Sequence, residues 1–239
     1  MNASSICGDG VMETQLTFQL DDGGSIPTSP LQKHDARIQP ISYGLAMEIV
    51  VAKHYLHRTA PVSHAFGLFY ANFIEPLGVV TYGVSPSSTL LRGICGDEEK
   101  NNVYELNRLW IDNRVMKNAE SFLISRSLKF LDREIIVSFA DSGQNHRRVV
   151  YQAANFYYTG LSSKFKDPKI EGVEGHHATY AHGMTNDEVV AKFGDKVSFI
   201  ERTRKHRYIY FNAKGKRKEE LLAKLRYPIL PYPKVTDEI

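Results

Sequence analysis

The first regular pattern in the chain is that of an amphipathic helix. It starts behind Ser42, a candidate N-cap, and its apolar residues recur on one face at Leu45, Ile49 and Ala52. It ends before Pro61, because proline disfavours the helical conformation in the residue that precedes it. Two runs rich in aromatic and β-branched residues follow, at 65–73 and 77–84, with a turn between them. The pattern therefore opens with a helix and a β-hairpin.

Farther along the chain, strand and helix patterns alternate. The predicted elements are, in order, a strand at 103–111, an amphipathic helix at 117–131, a strongly apolar strand at 134–140, a helix at 148–156, two arms of a closing hairpin at 199–203 and 207–212, and a basic helix at 216–225. No internal repeat is visible in the sequence. Helices interleaved with strands predict a single α/β (α+β) domain with a central mixed sheet.

The chain divides into three segments by composition. Residues 1–40 are rich in turn-forming residues and weak in periodicity, which predicts a flexible N-terminal extension. Residues 41–165 carry most of the helix and strand patterns and are the predicted core. Residues 166–239 contain an insertion, the predicted hairpin and the basic helix. We expect this last segment to complete the same domain.

Length and composition fit one soluble domain. The 239 residues are enough for one good core, and 42% hydrophobic with 24% charged residues is ordinary for a globular protein. No apolar run approaches the ~20 residues that span a bilayer, and the first residues lack the pattern of a secretory signal. The two cysteines, Cys7 and Cys95, cannot form a disulfide framework, so a reducing intracellular setting is expected.

The net charge of +3 conceals an asymmetry along the chain. Residues 200–239 hold eleven Lys and Arg against five Asp and Glu, a balance of +6, whereas residues 1–40 hold two against five, a balance of −3. A basic segment on a neutral body is the electrostatic pattern of a polyanion-binding protein. A solvated tail has the same composition, so charge alone leaves both interpretations open.

Polar residues gather where the most apolar predicted strand ends. Asp141, Asn145 and His146 follow that strand directly and precede a helix. Open α/β sheets hold their ligands at the carboxyl ends of their strands, so this arrangement predicts an active site with Asp141 as its carboxylate. The alternatives are that Asp141 caps the following helix or pairs with Arg147 or Arg148.

Two histidines, His54 and His57, lie three residues apart at the end of the first predicted helix. At that spacing they share a helix face, but no third ligand completes a metal site, and we expect His54 or Tyr55 to face the active site. The segment 176–182 contains three more histidines without a recognised ligand spacing. A surface loop is the favoured interpretation there, and the metal content stays unknown.

Polar residues alternate with apolar ones in the predicted strand at 103–111. Glu105 and Asn107 alternate with Leu106 and therefore point to one face, where they need partners or a substrate. Arg108 is expected on the opposite face, where it could meet a phosphate or pair with an acid. A functional role is favoured over a structural one for Glu105 and Asn107.

The order of these elements resembles the core of the GNAT acyltransferases. The resemblance is carried by NRLWI, the loop after it, the next helix, the strand IIVSFAD and the helix ending YQAANFYYTG. In that fold, the loop before the helix holds the pyrophosphate of an acyl carrier through backbone N–H groups. The resemblance implies that Tyr151 is a general acid. It also implies a set of residues that bind the carrier, namely Arg108, Arg114, Asn118, Ser121, Asn155 and Tyr158.

The sequence departs from the usual coenzyme A pattern in this loop. GNAT proteins carry Q/R-x-x-G-x-G/A, whereas this chain reads RVMKNAES at 114–121 and has no glycine at either expected position. Glycine lets the backbone approach a phosphate closely, so its absence counts against an ordinary pyrophosphate cradle. Asn118 and Ser121 are side-chain donors that could replace it.

A narrower resemblance covers residues 41–239. The motifs KHYLHR, ELNRLWI, KNAESFLISRSL, SFAD, YQAANFYYTG and the C-terminal KHRYIYF…LLAKLRYPILPYPK stand in the order found in the Mom family of phage DNA modification proteins. This resemblance implies conversion of adenine N6 in double-stranded DNA to a carbamoylmethyl derivative, which protects phage DNA from restriction in the bacterial cytoplasm. It implies a donor that is acetyl-CoA, by analogy of fold, or a glycine-derived or aminoacylated molecule. It also makes iron a candidate cofactor.

That reaction gives the polar residues specific roles. Asp141 is expected to accept a proton from the adenine amine, and the other catalytic candidates are His54, Tyr55, Glu105 and Asn107. The adenine has to leave the duplex to reach them. Cations interleaved with aromatic residues predict the DNA contacts, at His146, Arg147, Arg202, Arg204, Lys205, Arg207, Lys216, Arg217 and Lys218. Two other functions stay open: N-acetylation of a protein or small amine, and DNA binding without catalysis.

Overall fold

The computed structural model describes residues 33–70, 73–141, 149–174, 180–181 and 183–233. Several sequence predictions fall outside these ranges. They concern residues 1–32 of the predicted extension, Cys7, Asn145, His146, Arg147, Arg148, and the histidines His176, His177 and His182. Among the described helices, none is long and apolar enough to cross a membrane.

The helices and strands alternate along most of the described chain. In chain order they are β1 (Ala36–Pro40), α1 (Tyr43–Lys53), β2 (His64–Tyr70), β3 (Gly78–Gly83), α2 (Ser88–Cys95), β4 (Val103–Ile111), α3 (Ala119–Ser127), β5 (Ile135–Asp141), α4 (Val149–Ala153), β6 (Tyr157–Leu161), β7 (Lys166–Ile170), α5 (Asn186–Phe193), β8 (Val197–Glu201), β9 (Lys205–Phe211) and α6 (Gly215–Lys224). Ser42 caps α1 as predicted, through a hydrogen bond from the Leu45 N–H at 3.2 Å.

A seven-stranded sheet organises the molecule, with the strand order β1-β2-β3-β4-β5-β9-β6. Neighbouring strands run antiparallel except β4 and β5, which are parallel. Strands β7 and β8 form a separate two-stranded ribbon. The sheet confirms the predicted α/β class with a central mixed sheet.

The predicted closing hairpin is wrong. Strand β8 pairs with β7 in the ribbon, whereas β9 lies between β5 and β6 in the central sheet. Burial explains the difference, since Tyr208, Ile209 and Phe211 of β9 are almost fully buried while Phe199 and Ile200 of β8 are exposed. Two apolar runs close in sequence look like one hairpin, but only one of them has enough buried surface for a central strand.

Four elements lack a clear sequence pattern. Strand β1 lies inside the segment predicted as an extension, because an edge strand that is half-buried only at Ala36 and Ile38 gives no strong alternation. Helices α2 and α5 are only about two turns long, and β6 continues directly from a helix-like pattern. The predicted insertion therefore connects β6 to β9, two neighbouring strands of the central sheet.

The core lies on both faces of the central sheet. Helices α3 and α4 cover one face, where Leu106, Ile136 and Tyr208 are buried. Helices α2 and α6 cover the other face, where Val137 and Ile209 are buried. Because β5 is buried on both faces, its sequence is an almost continuous apolar run, as the sequence pattern indicated.

An ion-pair network fixes the basic helix α6 to the body. Arg217 pairs with Glu99 at 2.8 Å and with Glu134 at 2.7 Å, and Lys224 pairs with Glu99 at 2.8 Å. Hydrogen bonds from Arg217, and then from Lys224 and Asn102, hold the pKa of the buried Glu99 carboxyl at about 2. The charges of α6 that face the body are therefore paired within the fold and are not available to a ligand.

The strands β4 and β5 separate partway along their length. They pair only over Val103–Leu106 and Ile135–Ser138. The last pair is reinforced by Ser138, whose hydroxyl donates to the Leu106 carbonyl at 3.1 Å. Beyond this point the two strands diverge and leave a cleft at the carboxyl end of β5, where the polar residues of the sequence analysis lie.

Candidate active site

A cavity of about 670 Å³ opens where β4 and β5 diverge. Its walls come from the end of α1, the second half of β4, the loop to α3, the end of β5 and the start of α4. Its volume is typical of a small-molecule site. The predicted site residues that line it are His54, Tyr55, Asn107, Arg108, Asn118, Asp141 and Tyr151. Polar candidates from separate segments thus share one cavity.

A β-bulge interrupts β4 at the cavity wall. Thr81 of β3 pairs with Arg108, but the next residue, Tyr82, pairs with Leu106, so Asn107 is an extra residue. The strict alternation assumed from the sequence therefore breaks. Arg108 does not lie opposite to Asn107 as expected, because both side chains reach the same segment, residues 58–61.

Asn107 and Arg108 tie that segment to the sheet. The Asn107 amide donates to the Pro61 carbonyl and accepts from the Thr81 hydroxyl, both at 2.6 Å. Arg108 donates to the Thr59 carbonyl at 2.9 Å. A Cβ at position 83 would collide with the Pro61 carbonyl, so Gly83 allows this close approach. The segment after α1 is thereby held against β3 and β4.

Arg108 is also a buried cation on the cavity wall. Its residue is only 9% exposed, and burial lowers the pKa of its guanidinium. Within the described part of the chain its Nε–H has no hydrogen-bond acceptor, although its terminal nitrogens bind backbone carbonyls. A buried donor without an acceptor costs free energy unless a ligand oxygen satisfies it.

His54 and His57 do not share a helix face, contrary to expectation. Helix α1 ends at Lys53, and His54 is its C-cap with an extended backbone. The His54 ring accepts a hydrogen bond from the Leu56 N–H at 3.2 Å. It also lies against the Tyr55 ring at a tilt, with ring centroids 4.5 Å apart. The reason is that the chain forms a turn immediately after α1, so helical spacing no longer applies. His54 therefore supports Tyr55 at the cavity.

Asp141 lies at the cavity mouth between Tyr55 and strand β9. Burial, and then the Asp141 carboxylate, raise the pKa of the Tyr55 hydroxyl. On the other side the Thr203 hydroxyl donates to Asp141 Oδ1 at 3.2 Å, and Lys205 is the cross-strand partner of Asp141. Burial lowers the pKa of Lys205, while Asp141 acts in the opposite direction. Lys205, a predicted DNA contact, thus lies half-buried beside the carboxylate.

Tyr151 places a protonated hydroxyl on the cavity wall. It shares a hydrogen bond with Ser138 at 2.8 Å and stacks on Tyr208 with centroids 4.9 Å apart. Burial raises the pKa of Tyr151 to about 12. At neutral pH the hydroxyl is therefore protonated, as a proton donor must be, while the raised pKa makes it a weaker acid than an exposed tyrosine.

The remaining carrier and catalytic candidates lie outside this cavity. Arg114 forms a two-point ion pair with Asp112, at 2.8 and 2.9 Å. Asn155 makes a left-handed turn after α4, Tyr158 binds His206 at 2.9 Å, and Glu105 lies on β4 near Arg108 and Lys205. These observations give Arg114, Asn155 and Tyr158 structural roles in the fold.

A second cavity of about 370 Å³ adjoins the first along α3. Met116, Lys117 and Asn118 line both cavities, so the second cavity, which we call the groove along α3, shares a wall with the first. Ser121 lines the second cavity, as do three cations and an aromatic ring: Lys33, Lys117, Arg126 and Phe122. Lys33 and Arg126 approach the Phe122 ring at 5.3 and 5.5 Å from its centroid. Sequence reasoning missed this cluster, since Lys33 is far in the chain from Lys117, Phe122 and Arg126.

The loop before α3 turns without glycine. Asn118 adopts the left-handed conformation, with φ of 65°, that a glycine usually takes. Its side chain does not cap α3, so the first-turn N–H groups have no cap from this residue. The departure from the GNAT glycine pattern therefore leaves the turn intact.

Most of the predicted DNA contacts bind the protein itself. Arg202 binds Asp167, Arg204 binds the Ser162 carbonyl, Arg207 binds Thr159 and stacks on Tyr227, and Arg217 binds Glu99 and Glu134. Lys216 is exposed, and Lys218 lies over the Tyr157 ring at 5.6 Å. The arginines of this segment therefore hold the C-terminal part of the fold together.

In the ranges that the structure describes, no group of three His, Cys, Asp or Glu side chains is arranged to hold a metal ion. The histidine-rich segment at 176–182 lies largely outside those ranges.

Comparison with known proteins identifies the family. The model of the Mom protein family matches residues 35–234, which include every wall of the cavity. The chain belongs to the Mom protein family. Among curated relatives, the methylcarbamoylase Mom of Escherichia phage Mu is 29% identical over 208 residues, which cover 84% of each chain.

Solved structures similar to this Mom family member include two acetyltransferases. A GNAT family acetyltransferase from Bacillus cereus shares 10% identity with a TM-score of 0.42, covering 75% of this chain and 99% of that one. The ribosomal-protein-S18-alanine N-acetyltransferase of Escherichia coli shares 8% identity with a TM-score of 0.41, covering 75% and 96%.

Proposed function

We propose that this Mom family member is a transferase that converts adenine N6 in double-stranded DNA to its carbamoylmethyl derivative. The family match and the name of the phage Mu relative, a methylcarbamoylase, support the class of reaction. The observation that carries the proposal is that Asp141 and Tyr151 line the same cavity. One of these groups is a carboxylate and the other a protonated hydroxyl.

The chemistry requires both groups. The exocyclic amine of adenine is a poor nucleophile, because its lone pair is delocalised into the ring. As the bond from N6 to the transferred carbon forms, N6 loses a proton, and Asp141 accepts it. The bond between that carbon and the donor's leaving group breaks, and the leaving group takes a proton from Tyr151. Thr203 and Lys205 hold the Asp141 carboxylate in place.

The target base reaches the cavity by leaving the duplex. Adenine N6 lies inside a base pair, so the nucleotide must rotate outward. Tyr55 is 38% exposed at the cavity and offers a ring on which the base can stack. Lys53, at the rim over the Trp110 ring, can meet a DNA phosphate.

The groove along α3 suits a donor that carries phosphates. Lys33, Lys117 and Arg126 have no ion-pair or hydrogen-bond partner among the described residues, and a polyphosphate would satisfy them. Both candidate donors can carry phosphates, but acetyl-CoA would deliver only an acetyl group, so the carbamoylmethyl product favours the glycine-derived, aminoacylated donor. The free Nε–H of Arg108 then faces a carbonyl oxygen of the transferred group.

Removal of the three cations is expected to weaken phosphate binding. The triple variant Lys33→Ala, Lys117→Ala, Arg126→Ala should bind pyrophosphate about ten- to thirtyfold more weakly, because each cation contributes up to about 1 kcal/mol. Calorimetric titration measures this. A control with the same charge change is Lys129→Ala, Lys192→Ala, Lys196→Ala, on exposed cations elsewhere. Equal affinity in both triple variants would refute the phosphate groove.

Mass spectrometry of nucleosides tests the function itself. Plasmid DNA from cells that express the protein is expected to contain deoxyadenosine heavier by one carbamoylmethyl group. Unmodified deoxyadenosine beside a folded protein would contradict the proposal. Acetylation of a protein or small amine in the same cells would instead favour an N-acetyltransferase.

A further inference from the structure

The β7–β8 ribbon begins and ends beside the active site. It leaves the central sheet after β6 and returns at β9. At its root the Arg202 N–H donates to the Phe165 carbonyl at 2.9 Å. The next residue, Thr203, binds the Asp141 carboxylate at 3.2 Å. The backbone of Phe165 is therefore linked, through Arg202 and Thr203, to Asp141 on the cavity wall.

The two faces of the ribbon differ in burial. Helix α5 packs against one face, where Pro168 and Ile170 are buried. The other face carries the Asp167–Arg202 ion pair and Ile200, which lies opposite Asp167. Residues two apart in a strand share a face, so Phe165 belongs with Asp167 on this open side. Phe165 is 59% exposed and Ile200 51%.

Charge on the ribbon is concentrated at the same root. Residues 162–166 and 201–205 hold five cations against one carboxylate, a balance of +4, although Arg202 pairs with Asp167 and Lys205 lies beside Asp141. The rest of the described insertion, residues 167–174, 180–181 and 183–200, holds three cations against six carboxylates, a balance of −3. Phe165 therefore stands in the basic part of the ribbon, with Ile200 at its border, and a polyanion fits there better than an apolar protein surface.

We infer that Phe165, backed by Ile200, is a wedge that enters the DNA duplex where the target adenine leaves it. The inference rests on the proposed function. Rotation of a base out of the stack leaves a gap, and the duplex closes again unless a side chain fills it. Apolar side chains inserted between bases act in this way. Phe165 is a large, exposed apolar residue whose backbone partner, Arg202, directly precedes the Thr203 that binds Asp141 on the cavity wall.

Two DNA substrates separate a wedge from other roles. Both contain a target site first mapped in modified plasmid DNA, and they differ only opposite the adenine, with thymine in one and an abasic site in the other. Phe165→Ala is expected to modify the paired duplex at least about tenfold more slowly than the natural protein, because opening the pair costs a few kcal/mol. On the abasic duplex the two proteins should react at similar rates. Phe165→Leu should retain most of the paired-duplex rate.

The control is Phe130→Ala, since Phe130 is 57% exposed and lies before the other end of β5. It should match the natural protein on both duplexes. Equal losses on both duplexes for Phe165→Ala, or no loss on either, would overturn the wedge while leaving the proposed function standing. If the natural protein modifies neither duplex, the proposed function fails instead.

Discussion

Replacing Asp141 by asparagine is expected to lower the rate of adenine modification about 10²- to 10³-fold, the usual contribution of a general base. Asparagine keeps the shape of the side chain and its acceptor oxygen for Thr203, so the fold should persist. It cannot accept the proton that N6 loses. The measurement is the initial rate at which modified deoxyadenosine forms in plasmid DNA, with thermal unfolding as a check on the fold.

A matched control lies at the other end of the same strand. Asp132 precedes β5 and its side chain is 71% exposed, so Asp132→Asn makes the same chemical change far from the cavity. It should leave the rate unchanged. If Asp141→Asn keeps the natural rate, Asp141 is not the base, and the wall of the cavity must supply another acceptor.

Replacing Tyr151 by phenylalanine is expected to lower kcat about ten- to a hundredfold with little change in KM. Burial raises the Tyr151 pKa to about 12, so the natural hydroxyl stays protonated over the whole physiological range and can donate to the leaving group. Phenylalanine preserves the stacking on Tyr208 but has no proton to give. Steady-state kinetics with the donor varied measure both constants.

Leaving-group chemistry separates catalysis from packing. A donor whose leaving group has a lower pKa needs less protonation, so the loss caused by Tyr151→Phe should shrink with it. Tyr82→Phe is the control, because Tyr82 is buried and bound to Ser127 at 2.7 Å but does not line the cavity. It should lower thermal stability and leave kcat unchanged. If the decrease in kcat caused by Tyr151→Phe is the same for every leaving group, Tyr151 only positions its neighbours.

Local patterns in the sequence predict most of the central elements. The helix capped by Ser42, the strand at 103–111 and the apolar strand that ends at Asp141 all appear near their expected places. Each of these elements is predicted by the periodicity of apolar residues within one segment, which can be read directly from the sequence. Pairing depends instead on distant segments, and there the prediction failed, since β8 and β9 join different sheets.

The candidate site shows the same division. Asp141 and Tyr151 were found because a polar residue at a strand end and a tyrosine in a family motif are local signals. The bulge that turns Asn107 and Arg108 to one side arises from pairing with β3. The sequence of β4 alone does not predict it. Lys205 and Arg217 look alike as basic residues, yet one lies beside Asp141 and the other binds Glu99 and Glu134.

The α/β class, the strand that carries Asp141 and the resemblance to the Mom family follow from the sequence, because periodicity and motifs are properties of single segments. Which cations line the groove and which hold the fold depends on contacts between distant segments. Folding also brings Lys33 and Arg126 to the walls of one groove, and it places Phe165 beside the segment that binds Asp141. The physical reason is that burial and ion pairing are set by residues that meet only after the chain has folded.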